Sequence, residues 1–454
     1  MNKYKYFKAV FLWLIVFGGI MHGCKKWDDH NRVTEEAAGM NLLQRIEADP
    51  ELSRFAELLA SSGYADTVAS SKRYTVYAPT NQALTALPPN ITQDASLLKR
   101  FVAGHILSSA YTTTQIEGTI RAAALSGKYH DLTNTSIDNI AISRQNLLAK
   151  NGLLQVIGEA LPLLENTAAF VASDARMPAL QRAVLSGVLD SLFKRRVFDL
   201  TNESKNYTLF VVSDAAWQAE VEKYKPYFNV PGNEDSSRLV ASWNVAKDWV
   251  VDTLYPTVAS LPDTITSKFG VKTAIPKANI VEVVKTSNGV VYIMESLETL
   301  PRHKFRDIII EAENYNGASH NRLGNTFIRD KRDSTTGGIF RDVLVYNHGV
   351  AMFNLRYRLT EIPSIKYRAY WMALNDNING MTSTFNQKIG VDSFNSPTPV
   401  YATVALNRYA EQFAGEFTLT QYRPTFNLYL TAANSTSANV NAIVCNYIRL
   451  EPVF

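Results

Sequence analysis

The chain has 454 residues, of which 46% are hydrophobic and 19% are charged, and its formal net charge is +4. This composition is that of an ordinary globular protein, and the length suggests about three domains of roughly 100–200 residues each. A chain so close to neutral gives no electrostatic reason to expect nucleic acid as a partner.

The first residues have the pattern of an export signal. Three lysines precede an uncharged apolar run, Ala9–Met21. That run is shorter than the roughly 20 residues a membrane-spanning helix needs, so it indicates a signal-peptide core. Removal of the three lysines leaves 43 basic residues against 42 acidic ones, a net charge of +1.

The signal ends at Gly23-Cys24, which resembles the cleavage site of bacterial lipoproteins. We therefore predict a signal peptide at 1–23, lipidation of Cys24 and a linker at 24–39. His22 departs from the usual small residue, and an ordinary secretory signal that contains a cysteine is the alternative. Lys25–Asp29 resembles a tag that sends lipoproteins to the outer face of the outer membrane. The other cysteine, Cys445, lies in an apolar run that favours a buried strand thiol, and no disulfide framework is predicted.

Three landmarks occur twice in the same order, which predicts two copies of one domain. The pairs are Tyr74–Ala83 with Tyr207–Ala216 at an offset of 133, Asn151–Ile157 with Asn288–Met294, and Leu43–Arg45 with Leu180–Arg182. Asn-Gly, which opens the second landmark in both copies, is a strong hairpin signal because both central residues of a type I′ turn need positive φ.

The first copy, residues 40–166, resembles the fasciclin-domain family. A helical start, the strand and turn at 75–81, Phe101–Leu107 and the closing Asn151–Ile157 carry the resemblance. The second copy, 178–301, is similar but divergent, with an insertion around 223–238. The resemblance implies α+β folds built as β-barrel wedges decorated by helices and used in adhesion.

Fasciclin domains are linked to adhesion through a Tyr-His pair after a helix that here ends near His105. Aligning Phe101 with Trp249 places Thr253 at the histidine position of the second copy. The pair is therefore incomplete in both copies, and His105 is interpreted as a hydrogen-bonded structural residue.

Residues 306–454 contain short strand-like runs separated by turns, the rhythm of an all-β sandwich. The two ends of this segment resemble galactose-binding-like jelly rolls, which include several carbohydrate-binding modules. In that family, two opening glutamates and an acid near the last strand hold a structural calcium. The resemblance therefore implies a calcium site at Glu311, Glu313 and Asn446, weakened because Asn446 replaces a carboxylate. A polar sheet edge is the alternative.

Two groups of residues are candidate sugar-binding positions, because they combine aromatic rings with amides or a carboxylate. The first group is Trp371, Asn375 and Asp376, and the second is Asn314, Tyr315 and Asn316. A tryptophan in a strand is also a common core residue, so Trp371 has two interpretations.

Catalysis is not predicted, since the histidines are scattered and the sequence has no His-Glu-x-x-His pair and no Gly-x-Ser-x-Gly elbow. A carboxylate pair brought together by the fold would leave no linear motif, so a polysaccharide hydrolase is the third alternative. The preferred hypothesis is an outer-membrane lipoprotein facing the cell exterior. It would capture a polysaccharide beside a transporter complex of a polysaccharide-utilisation system, with its acyl anchor in the lipid bilayer. The runner-up is an adhesin that binds a protein or matrix partner through the fasciclin pair.

Overall fold

The structure is a computed structural model that describes residues 39–190, 198–376 and 383–454. The predicted signal peptide, Cys24 and all but the last residue of the predicted linker lie outside the described residues. The described residues form two compact units. One comprises 39–169, 200–206 and 285–289, and the other comprises the rest. No helix in either unit is both long enough and apolar enough to cross a bilayer.

The first copy begins with helices whose starts are encoded locally. Asn41 and Gln44 form a capping box at the first helix, and Asp94 accepts hydrogen bonds from the backbone N–H groups of Ser96 and Leu97 at a later one. The elements are α1 (Leu42–Glu47), α2 (Ser53–Ser61), α3 (Ala65–Ala69), β1 (Tyr74–Pro79), α4 (Pro89–Gln93), α5 (Ala95–Gly104), β2 (Ile106–Leu107), β3 (Ile120–Ala123), β4 (Tyr129–Leu132), β5 (Ser136–Ile137), β6 (Ile140–Ala149) and β7 (Gly152–Ile157).

The strands of the first copy form one sheet in the order β2-β1-β7-β6-β5-β4-β3. Strand β1 is buried along its whole length and pairs in parallel with β7, as expected of an almost continuously apolar central strand. The predicted closed barrel is not confirmed, because a single isolated bridge, Leu107 to Ala124, is all that links the two ends of this sheet in the described chain.

The second copy repeats the central part of this topology with a smaller sheet. Its elements are α6 (Thr167–Ser173), α7 (Ala179–Asp190), β8 (Tyr207–Val212), α8 (Asp214–Tyr224), α9 (Glu234–Ala246), β9 (Val250–Val251), β10 (Thr264–Thr266), β11 (Lys272–Ala274), β12 (Ile280–Thr286), β13 (Gly289–Met294) and α10 (Pro301–Lys304). The sheet order β12-β13-β8-β9 matches β6-β7-β1-β2, and β10 pairs with β11 separately. The matching central strands predicted from the repeat therefore occupy the same topological position.

Backbone hydrogen bonds fix the alignment of the two copies and correct one part of the sequence alignment. The Tyr77 N–H donates to the carbonyl of His105, and the Phe210 N–H donates to that of Trp249, both at 2.9 Å. Trp249 is therefore equivalent to His105, not to Phe101. Thr253 instead occupies the position of Ser109, since the hydroxyls of Thr75 and Thr208 donate to the Ser109 and Thr253 carbonyls respectively.

The upstream landmark of the repeat is also corrected. The Asn81 side chain accepts a hydrogen bond from the Arg54 N–H at 2.9 Å, and Asp214 accepts one from the Leu180 N–H at 3.0 Å. Leu180 is therefore equivalent to Arg54 rather than to Leu43. Helix α6, which lies before residue 178, takes the place of α1.

The C-terminal segment is an antiparallel β-sandwich, as the strand rhythm predicts. Its strands are β14 (Ile308–Glu311), β15 (Gly317–Ala318), β16 (Thr326–Arg332), β17 (Ile339–Val345), β18 (Asn354–Ile362), β19 (Lys366–Met372), β20 (Phe385–Val391), β21 (Ala402–Val404), β22 (Gln412–Thr418), β23 (Arg423–Ala432), β24 (Ile443–Cys445) and β25 (Tyr447–Val453). They form sheets in the orders β14-β25-β19-β22, β15-β18-β23-β20-β21 and β16-β17-β24 around one apolar core. The jelly-roll connectivity stays a prediction.

His105 is a buried residue with both ring nitrogens bonded, in agreement with its interpretation as a structural residue. Nδ1 donates to the Phe101 carbonyl at 2.9 Å, and Nε2 accepts from the Leu161 N–H at 3.0 Å. Burial lowers the pKa of His105 to about 4. The imidazole is therefore neutral at pH 7 and joins α5 to the segment after β7.

We expect acid to destabilise the first copy through His105. Its folded pKa lies below the unfolded value of about 6.5, so the unfolded state binds the proton more readily. The stabilisation is complete above pH 6.5 and is lost as the pH falls towards 4. A shift of this size corresponds to about 3 kcal/mol. Native-state hydrogen exchange of α5 in the full chain should show this loss.

The matched variant for this experiment is His105→Leu. It should be less stable than the original protein at pH 8, because the Leu161 N–H loses its acceptor. The stability difference between the two proteins should narrow as the pH falls. A difference that stays constant from pH 8 to pH 4 would contradict the assignment.

Candidate functional site

A cavity of about 460 Å³ opens on the outer face of the five-stranded sheet of the sandwich. We call it the sheet groove. Its lining residues come from β15, β18, β23 and the turns beside these strands and after β20: Gly317, Ala318, Ser319, His320, Ala351, Met352, Asn354, Arg356, Phe394 and Tyr429.

The floor of the sheet groove is a row of residues at one register across four strands. Gly317 pairs with Arg356, Arg356 with Tyr429, and Tyr429 with Gly390. Successive residues of a strand point to opposite faces, and the neighbours of Arg356 and Tyr429 in their own strands lie in the core. The arginine and the tyrosine therefore project outward, side by side.

Glycine at the end of this row brings an aromatic side chain onto the sheet. A Cβ at Gly390 would lie 2.5 Å from the Ser393 carbonyl oxygen and 2.9 Å from Cα of Phe394. The turn that carries Phe394 can therefore rest against the strand only because residue 390 has no side chain. The hydroxyl of Thr431 donates to the Phe394 carbonyl at 3.3 Å, and the Phe394 side chain stays 41% exposed.

The other end of the sheet groove is polar. The Arg356 guanidinium lies 3.2 Å from the position that a Cβ of Gly317 would take, and within the described chain it forms no ion pair. Ser319 and Asn354 are held together by two hydrogen bonds, of 2.9 and 3.1 Å, and the ring of His320 contacts the Ser319 hydroxyl at 3.1 Å. Donors and acceptors thus face two aromatic rings across one shallow cavity.

Trp371, the predicted aromatic platform, is a core residue. It lies in β19 and is completely buried between the sheets. A ring without exposed surface cannot stack on a ligand, so this part of the prediction is corrected.

The two polar residues predicted beside Trp371 are also engaged within the protein. Asn375 is fully buried, and its amide donates to the Ser383 and Val404 carbonyls. Asp376 forms ion pairs with Arg329 and Lys331. Burial acts to raise the pKa of Asp376, but hydrogen bonds from these two cations outweigh it and lower the pKa. These positions stabilise the sandwich and are not available to a ligand.

The second predicted group lies next to the sheet groove without lining it. Tyr315 packs against the core, and Asn314 is exposed. The Asn316 side chain accepts a hydrogen bond from the Arg358 N–H, and its own N–H donates to the Arg356 carbonyl. Asn316 therefore positions the backbone of the strand that carries Arg356.

The predicted calcium residues form a close carboxylate pair. Burial and the neighbouring Glu313 raise the pKa of Glu311, and Oε2 of Glu313 is buried without a hydrogen-bond partner. Asn446 uses its amide nitrogen on the Arg341 carbonyl at 2.5 Å, which leaves its oxygen as a potential ligand. No cluster of three acidic, histidine or cysteine side chains suited to a metal occurs in the described residues. Backbone or water oxygens would have to complete the six to eight ligands that calcium takes, and the site stays a prediction.

Sequence reasoning missed the residues of the sheet groove. The alternation of core and outward positions could have assigned Arg356 and Tyr429 to an outer face. Their adjacency depends on the register between β18 and β23, and no short motif encodes it.

Comparison with curated proteins finds no match. Among solved structures, a fasciclin domain pair from the insect cell adhesion molecule fasciclin I is 14% identical, with a TM-score of 0.24, and the match covers 56% of this chain and 99% of that one. A family 35 carbohydrate-binding module from Clostridium thermocellum is 15% identical, with a TM-score of 0.23 and coverage of 33% and 100%. CsCBM6-3 from Clostridium stercorarium, solved with cellobiose, is 9% identical, with a TM-score of 0.22 and coverage of 32% and 94%.

TM-scores of this size do not establish a shared fold. The match to a family model is independent of these structural comparisons, because it depends on the amino-acid sequence of one domain. That match spans residues 50–163, within the first copy. Residues 50–163 therefore match the model of the fasciclin domain.

Proposed function

We propose that this protein is a surface lipoprotein that captures a glycan in the sheet groove of its C-terminal sandwich. The observation that carries the proposal is the pairing of Tyr429 and Arg356 at one register, with Phe394 beside them. Aromatic faces stack on the apolar face of a sugar, while fixed donors and acceptors bond its hydroxyls. The anchor, the position outside the outer membrane and the place beside a transporter complex are part of the same proposal, by association from domain architecture alone.

The groove favours binding over catalysis. The described residues that line it include no carboxylate, and glycoside hydrolysis normally needs a pair of them. One arginine, two aromatic rings and a few other polar groups can orient a ligand, but they include no carboxylic acid of the kind that protonates a glycosidic oxygen.

We expect Tyr429→Ala to weaken glycan binding by about tenfold, which corresponds to about 1.4 kcal/mol. Stacking contributes roughly 0.5–1.5 kcal/mol beyond burial, so loss of one ring removes a large share of a millimolar affinity. The full chain should first be screened on a polysaccharide panel, and the affinities then measured by calorimetry.

The matched control is Tyr409→Ala, a partly exposed tyrosine that does not line the groove. It should leave both affinity and melting temperature unchanged, and Phe394→Ala should resemble Tyr429→Ala. Equal glycan affinities for Tyr429→Ala and Tyr409→Ala would contradict the proposal.

Calcium should raise the melting temperature of the sandwich if Glu311 and Glu313 hold it. A ligand that binds only the folded state at 100 times its Kd stabilises by about 2.7 kcal/mol. The shift between chelator and calcium should vanish in Glu313→Gln and persist in Glu57→Gln, an exposed glutamate of α2. Identical melting curves in chelator and calcium for the original protein would remove the metal site.

The anchor should depend on Cys24. A single acyl chain binds a membrane marginally, whereas two or more hold a protein firmly. Cys24→Ala should therefore move the protein from the membrane fraction to the soluble fraction after export. Retention of the variant in salt-washed membranes would contradict the assignment.

A second candidate function is adhesion through the fasciclin domain. A cavity of about 680 Å³ there is lined mainly by apolar residues of the 83–91 and 158–163 segments and by Phe101. Such a surface suits apolar side chains of a protein partner. Partner capture that survives Tyr429→Ala but is lost when Leu87 is changed to Glu would favour adhesion over glycan binding.

A further inference from the structure

Another cavity, of about 520 Å³, lies within the second unit between the second copy and the sandwich. We call it the basic cavity. The end of α9, the loop at 269–271, the segment at 304–308 and the last residues of β18 surround it. Its volume falls in the range of cavities that hold small molecules.

Two carboxylates at this cavity already form ion pairs within the protein. Asp248 is buried, forms an ion pair with Lys304 and accepts a hydrogen bond from the Ser267 hydroxyl at 2.8 Å. Asp307 forms an ion pair of 2.8 Å with Arg449, whose guanidinium also pairs with Glu411 at 2.8 Å. Asp248 and Asp307 are therefore both paired with cations other than Lys247, Arg306 and Arg358.

The remaining charges give the cavity a positive excess. Lys247, Arg306 and Arg358 line it, and among the described residues none of the three forms an ion pair. The Lys247 ammonium lies 4.7 Å from the centre of the Phe269 ring, and the Arg306 guanidinium donates to the Phe269 carbonyl at 3.1 Å. Glu361 is the lining carboxylate left to oppose these three cations, and it is exposed and makes no ion pair in the described chain.

The shared fold does not require a lysine at position 247. The equivalence of Trp249 with His105 places Lys247 at the position of Ala103, which is a buried residue of α5. Burial and the neighbouring Lys304 lower the pKa of Lys247, and the opposing effect of Asp248 and Glu361 does not cancel this shift, as expected of a desolvated ammonium. A desolvated cation is stabilised when an anion pairs with it.

We propose that the basic cavity binds a small organic anion, with its carboxylate, sulfate or phosphate group paired to Lys247 and flanked by Arg306 and Arg358. The Phe269 ring forms an apolar wall beside the ammonium. The cavity volume exceeds what a bare inorganic anion fills, so the ligand carries an organic body of about monosaccharide size.

The test is calorimetric titration of the full chain with glucuronate, sulfate and inorganic phosphate, each at constant ionic strength in chloride. Uncharged glucose is the comparison ligand. Glucuronate should bind saturably and glucose should not. Lys247→Met should weaken glucuronate binding about tenfold or more, as expected for the loss of a charge-assisted contact. Sulfate or phosphate that binds more tightly than glucuronate would overturn the requirement for an organic body.

Lys99→Met, on the exposed face of α5, is the matched control and should bind as the original protein does. If Lys247→Met fails to fold, Arg358→Gln replaces it, since Arg358 is exposed. Tyr429→Ala should leave anion binding intact, which separates this site from the sheet groove. Absence of saturable binding, or unchanged affinity in the Lys247 or Arg358 variant, would overturn the proposal.

Discussion

In each of the two copies, the side chain of one buried asparagine links separate segments of the chain. This asparagine lies just before β7 in the first copy and just before β13 in the second. Asn151 accepts a hydrogen bond from the Leu42 N–H at 2.8 Å and donates to the Val68 and Ser70 carbonyls at 2.7 and 2.5 Å. Asn288 repeats the pattern with the Thr167 N–H and the Leu200 and Asn202 carbonyls. Both residues are buried. Loss of the amide would therefore leave a backbone N–H and two backbone carbonyls without a hydrogen-bond partner, and water could not replace it. In the first copy, these hydrogen bonds connect the start of α1 and the segment before β1 to the sheet.

This constraint explains which parts of the repeat could be predicted from the sequence. In both copies the asparagine is needed for its side-chain hydrogen bonds, and in the first copy the following glycine is needed because a neighbouring strand lies close to it. At Gly152, a Cβ would lie 2.0 Å from the Tyr74 carbonyl oxygen. Leu43–Arg45 and Leu180–Arg182 are similar in sequence, but no shared structural requirement underlies the similarity. Aligning them therefore paired helices that are not equivalent in the two copies. The equivalence of His105 and Trp249 could not be predicted from the sequence either. Their backbone hydrogen bonds to the central strands define it, and their side chains are different.

The sandwich shows the same division between local and non-local information. Its strands follow from alternation and turns, as the alternation of buried and exposed residues along parts of β18 and β23 illustrates. Trp371 illustrates the limit, because an aromatic residue in a strand can face either way and the sequence does not say which face is covered. The sheet groove depends even more on non-local information. Its floor exists only when four strands pair at one register, and each contributes a single residue that is unremarkable in its own segment.

The ion pair between Asp248 and Lys304 bears on where the second copy ends as a folding unit. Asp248 follows α9 inside that copy, whereas Lys304 is the last residue of α10 and lies beyond the boundary at 301 that the repeat suggests. A fragment cut at that boundary would keep a buried carboxylate and lose its cation, an imbalance that typically costs about 3–5 kcal/mol. The Lys304 side chain, which lies beyond that boundary in the sequence, therefore belongs to the interior of the domain that precedes it. The autonomy of this domain is therefore set by charge neutrality in its core rather than by the end of its sheet.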